Sequence, residues 1–153
     1  NQIWKTLKNI DSLRVIHLKR KNILRTLVSR KIAENQNVWI KPEFSNDNNF
    51  NNNKLCNFTV EELETGFTKT QEWEKAGENQ FKEHPMLSIY YEDLVNNYEL
   101  TFRQITDFLD VKYVSPKTWL KKQNPEKLNK IITNYDELKN NFIGTKWESF
   151  FEE

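Results

Sequence analysis

Between Arg14 and Glu34 the chain changes its hydrophobic period once, and that change limits the folds open to it. Arg14-Val15-Ile16-His17-Leu18 is a short apolar, β-branched run with the length of a buried strand. Lys19-Arg20-Lys21 comes next as a basic turn. Asn22 then offers an N-cap to the stretch from Ile23 to Glu34, which holds good helix formers and neither Gly nor Pro. At about 100° per residue Ile23, Leu24, Leu27 and Val28 share one side of this helix, and Asn22, Arg25, Thr26 and Ser29 gather on the other. One face packs and the other is open to chemistry. A strand turning into a helix in this way is a unit of an α/β layer.

The rest of the chain repeats the alternation. Ile3, Trp4 and Leu7 mark a first helical face within residues 3–9, ending at a turn at Asp11-Ser12. Thr59-Val60-Glu61-Glu62 has the form of a capping box and opens a long amphipathic helix running toward Glu83, with Phe67, Trp73 and Phe81 expected on its buried side. Its seven glutamates read as a solvated face. Pro85 stops it. Met86 to Tyr91 is a second strand candidate, Glu92-Asp93-Leu94 a turn, and Tyr98 to Leu109 a helix with Leu100, Ile105, Phe108 and Leu109 apolar. Pro116 and Pro125 punctuate the C-terminal third, where short helices are expected around residues 126–132, 135–142 and 145–151. Two strands among this many helices imply a helix-rich α/β fold with a small parallel sheet. Residues 45–54 are Asn-rich and aperiodic and read as an exposed loop; the chain holds 20 Asn in all, so the tract carries no assigned chemistry.

Composition removes several functions. The 153 residues fit one domain spanning 1–153, and ten Phe, five Trp and five Tyr supply a core. No run approaches the roughly 18 apolar residues of a membrane span, and Asn1-Gln2-Ile3-Trp4-Lys5 lacks a signal-peptide layout, so a soluble chain is expected. Cys56 is the only cysteine, which excludes an internal disulfide and favours a reducing, cytoplasmic compartment. His17 and His84 are the only histidines and lie far apart, so no metal centre is expected. His17 reads as a packed core residue and His84, before Pro85, as an exposed one. With three glycines, Gly66, Gly77 and Gly144, the chain has no Gly-rich phosphate loop of Walker or Rossmann type. A first residue other than Met and a sheet this small suggest part of a longer protein.

Charge is the strongest local signal. Residues 14–31 carry seven cations and no carboxylate in a chain whose formal net charge is +1. Such a run reads either as a solvated basic helix or as an anion site. Its place favours the second, because free N–H groups and the helix dipole at a strand-to-helix corner attract phosphate, and ligands of open α/β sheets bind at that edge. Arg20 on the turn and Ser29 further along can converge on one phosphate monoester through paired guanidinium donors and a hydroxyl.

The segment from Arg14 to Ser29 resembles the strand, Arg, helix, Ser segment with which sulfotransferases hold the 3'-phosphate of 3'-phosphoadenosine-5'-phosphosulfate, with Arg20 and Ser29 at the matching positions. Their spacing of nine is one more than in animal cytosolic members and is similar to that of bacterial-type members. Ile89-Tyr90-Tyr91-Glu92-Asp93-Leu94 resembles the family's Tyr-Glu-Asp-Leu segment, followed by a helix ending in Phe108-Leu109, which carries a nucleotide-proximal role to Tyr91. Asn134 to Leu138, Gly144 to Trp147, and Phe150 resemble the family's C-terminal closure. For the family's Arg-Lys-Gly loop there is no clean counterpart; Lys121 and Lys122, after Trp119, are the nearest basic residues, and a helix-end cation cluster describes them equally well.

The resemblance implies the C-terminal portion of a three-layer, P-loop-hydrolase-like sulfotransferase domain, incomplete here, with the 5'-phosphosulfate loop preceding residue 1. It implies transfer of a sulfuryl group from 3'-phosphoadenosine-5'-phosphosulfate to a hydroxyl or amine of a carbohydrate, lipid or small molecule, without a metal. Arg20 and Ser29 would hold the 3'-phosphate and Tyr91 the adenine end. The catalytic base, the acceptor and the oligomeric state are not legible. Two alternatives stay open: a non-catalytic helical module whose basic surface binds nucleic acid or an acidic partner, and a nucleoside-triphosphate kinase of related fold. Against the nucleic-acid module, the cations lack interleaved aromatics.

Overall fold

The computed structural model describes residues 2–39, 54–118 and 124–152. They form an α/β, helix-rich chain that divides into two compact units, residues 1–21 with 71–117 and residues 22–70 with 118–153. The expected loop at 45–54 lies, apart from Lys54, outside the described residues.

The first unit holds α1 (Gln2–Lys8), β1 (Val15–Lys19), β2 (Met86–Tyr90), α4 (Tyr91–Asn96) and α5 (Tyr98–Leu109). Strands β1 and β2 pair in parallel, with Val15 opposite Met86 and Lys19 opposite Tyr90. Two adjacent parallel strands bring their carboxyl ends side by side. Here that sets the basic Lys19-Arg20-Lys21 beside Tyr90-Tyr91-Glu92-Asp93. The run after β2 is therefore not the expected turn: Tyr91 opens α4, with Glu92 and Asp93 in its first turn, where acidic side chains suit the helix dipole. Helix α5 has the expected bounds and ends on Asp110 in a left-handed conformation, φ 58°. The buried Thr101 hydroxyl ties α5 to α4 by donating to the Asp93 carbonyl at 3.2 Å.

Strand β1 is not buried as expected. Val15, His17 and Lys19 are half-buried, whereas Ile16 and Leu18 face outward, Leu18 with 51% of its surface exposed. Alternation decides this, because β1 has one paired neighbour among the described residues and the face carrying Ile16 and Leu18 is uncovered.

Helix α3 (Val60–Gln80) contributes its first half to the second unit and its last turns to the first. The capping box forms as read: Thr59 N–H donates to Glu62 Oε2 at 2.8 Å and Glu62 N–H to Thr59 Oγ1 at 3.1 Å. Trp73 departs from expectation and is 59% exposed. Six residues beyond Phe67, it lies about 120° away around the helix axis, whereas Leu63 lies on the buried side. Phe81, past the helix end, packs edge-on against Trp4 of α1, ring centres 5.8 Å apart.

The second unit carries the hydrophobic core. Helix α2 (Ile23–Gln36) starts on Asn22, whose side chain accepts the Arg25 N–H, and buries Ile23, Leu24, Leu27, Val28, Ile32 and Ala33. The first half of α3 adds Leu63 and Phe67. Helices α6 (Leu128–Ile131) and α7 (Tyr135–Phe142) come next, and a closing 3-10 turn at Glu148–Phe151 is all that becomes helical of the expected 145–151 element. Phe67 sits at the centre, its ring centre 5.0 Å from Phe150, 5.2 Å from Trp147 and 5.7 Å from Phe142. Asn134 holds the Phe58 backbone from both sides, donating to its carbonyl at 2.8 Å and accepting its N–H at 3.4 Å. Of the described residues, no helix is long and apolar enough to cross a membrane.

Candidate functional site

The basic run does not stand as free charge. Lys19 Nζ lies 2.9 Å from Glu78, and Lys21 Nζ 2.6 Å from Asp93. Arg14 donates to the Phe108 carbonyl. In the second unit, Arg25 donates to the backbone carbonyls of Asn124 at 3.3 Å and Glu126 at 2.7 Å. Lys31 Nζ reaches the Asn57 carbonyl at 2.5 Å and Glu62 at 3.3 Å. The hydrogen bond to Glu78 raises the Lys19 pKa and lowers that of Glu78, whereas burial pushes the neighbouring Glu74 up. Sequence reading missed these acidic partners because they arrive from α4 and α3. For Asp93 the parallel pairing was the available signal, since it aligns the cations after β1 with the acids after β2.

Arg20 is held differently from its neighbours. Its guanidinium carbon stands 3.8 Å above the centre of the Tyr91 ring, a cation–π stack. Its Nη1 is 3.6 Å from Glu92 Oε1, too long for a hydrogen bond. Glu92 spends its other oxygen on the Lys21 backbone N–H, at 3.0 Å. Among the described residues the guanidinium has no other acceptor, so its planar fork of donors is presented and unspent. The first unit thus brings Arg20 and Tyr91 into direct contact.

Ser29 sits half-buried on α2 in the second unit, its hydroxyl without a protein hydrogen bond among the described residues. Three residues earlier the Thr26 hydroxyl is buried and unpartnered. Arg25, Thr26 and Ser29 share the side of α2 opposite Leu24 and Val28, so that face carries a cation held by backbone carbonyls and two uncommitted hydroxyls. Lys121 and Lys122 lie outside the described residues.

The two histidines have other employment. His17 Nδ1 is buried without a hydrogen bond, 3.6 Å from Glu78 Oε1. His84 Nε2 lies 3.1 Å from the Lys8 carbonyl. Among the described residues no cluster of His, Cys, Asp and Glu is suited to a metal ion. Burial pushes the Cys56 thiol up to about 11, with Lys31 pulling slightly the other way, so it is no nucleophile.

No family model matches the chain, and no curated protein or solved structure matches it at a significant level.

Proposed function

We propose that this chain is the 3'-phosphate-holding part of a sulfuryl transferase that uses 3'-phosphoadenosine-5'-phosphosulfate. The observation that carries the reading is the contact of Arg20 with Tyr91. The sulfotransferase resemblance sets apart these two residues, distant in sequence, as nucleotide ligands, and they meet at 3.8 Å with the guanidinium donors unspent. Arg20 supplies paired, charge-assisted donors to the ribose 3'-phosphate. One face of Tyr91 supports Arg20, and the remainder of the ring serves the adenine. The fold we infer is a three-layer, P-loop-hydrolase-like sulfotransferase domain of which this chain is the C-terminal portion, acting in the cytoplasm.

Catalysis in such a site is positioning and charge stabilisation. The sulfuryl group passes from the phosphosulfate to a hydroxyl or amine, and adenosine 3',5'-bisphosphate leaves. The part of this chain is to bind and orient the donor through its 3' side. The pairing of Lys19, Lys21 and Lys31 with carboxylates leaves these side chains poorly suited to a nucleic-acid backbone.

The test is titration of adenosine 3',5'-bisphosphate by calorimetry. Arg20 is 28% exposed, so its truncation is expected to cost about 2 kcal/mol, the lower part of the range for a charged hydrogen-bonding group, or about thirtyfold in Kd. Unchanged affinity in Arg20→Ala overturns the reading, and preference for ATP over the bisphosphate favours a kinase.

A further inference from the structure

We propose that Glu92 is a positioning residue for Arg20, which it holds in the plane where it meets the donor phosphate. This rests on the proposed donor-binding role of Arg20 and deepens it by assigning a residue that does not itself touch the ligand. A guanidinium stacked on a ring is fixed in tilt and height but can still turn about the axis normal to the ring. The Tyr91 stack supplies the first constraint. Glu92 supplies the second. Its Oε2 is anchored on the Lys21 N–H at 3.0 Å, which points Oε1 at Arg20 Nη1 from 3.6 Å.

Two features suit this pair to positioning rather than to a closed salt bridge. At 3.6 Å the carboxylate attracts the guanidinium without consuming a donor, so the fork stays available. Asp93 takes the adjacent ammonium, with Lys21 Nζ at 2.6 Å, so the Lys21 side chain does not compete for Glu92. Arg20 and Glu92 are also similarly sheltered, their side chains 28% and 27% exposed, so the attraction is only partly screened by solvent.

Glu92→Gln separates the roles. The amide oxygen of Gln still accepts the Lys21 N–H, so a purely structural role is preserved, while the charge that orients Arg20 is gone. Glu92→Gln is expected to keep the thermal midpoint of the full chain and to weaken adenosine 3',5'-bisphosphate about fivefold, with no further effect in the Arg20→Ala background, because residues acting through one another are non-additive. Affinity unchanged or tightened in Glu92→Gln, or an equal loss in the Arg20→Ala background, overturns the proposal. If the unmodified chain binds no adenosine 3',5'-bisphosphate, the functional reading falls, and the Arg20 Nε–Hε resonance decides the positioning separately. Its order is expected to drop in Glu92→Gln, and unchanged order contradicts the proposal.

Discussion

Gly66 lies in the middle of α3, where glycine is a poor helix former, and the structure supplies the reason it is there. A Cβ at this position meets Leu27 of α2, at 2.6 Å from Cδ1, 3.0 Å from Cδ2 and 3.4 Å from Cγ. Both methyls are engaged, and Leu27 is itself buried, so it cannot swing aside freely. Gly66→Ala gains about 1 kcal/mol of helix propensity but incurs an overpacking cost of about 1–3 kcal/mol, for a net destabilisation of about 0–2 kcal/mol. Gly77 in the same helix is the internal control, because a Cβ there meets nothing within 4 Å. Gly77→Ala is expected to stabilise by about 1 kcal/mol, which for an m-value of about 2 kcal/mol/M raises the urea midpoint by about 0.5 M. Gly66→Ala should leave the midpoint unchanged or lower it, and in a Leu27→Ala background it should recover the gain seen at Gly77. Equal stabilisation by Gly66→Ala and Gly77→Ala in the unaltered background would refute the close approach of α2 and α3. It would also remove the physical basis for how α2, and with it Ser29, is held.

Local chemistry sets two further outcomes. The Thr59 backbone N–H, aided by Lys31, holds the Glu62 carboxyl below its ordinary 4.5. A depressed carboxylate contributes stability that is complete above its unfolded value and lost as the pH falls through the folded one, so the unmodified chain should lose more stability than Glu62→Gln as the pH drops below 4.5, measured by urea denaturation at each pH. Cys56, with its thiol near 11, should resist iodoacetamide in mildly alkaline buffer and react in concentrated urea, as mass spectrometry reads directly.

Structure was legible in the sequence where one segment decides it. The Asn22 cap, the reciprocal Thr59–Glu62 box and the bounds of α5 and α7 all depend on residues within a few positions of each other. The exposure of Trp73 is not legible, because a long helix with aromatics on two sides does not declare which side is covered. Nor is the exposure of Ile16 and Leu18, because burial of an apolar strand depends on neighbours that its own residues do not specify. The candidate site was half legible. Arg20 and Tyr91 were marked by the resemblance, but the stack between them, and the Asp93 carboxylate that neutralises Lys21, depend on the parallel pairing of β1 and β2.

Recognition of a ribose 3'-phosphate is probed by two nucleotides that differ only there. Calorimetric titration is expected to show adenosine 3',5'-bisphosphate binding at least about tenfold more tightly than adenosine 5'-monophosphate, about 1.4 kcal/mol for the added phosphate. Equal affinities, or tighter binding of the monophosphate, would contradict the account.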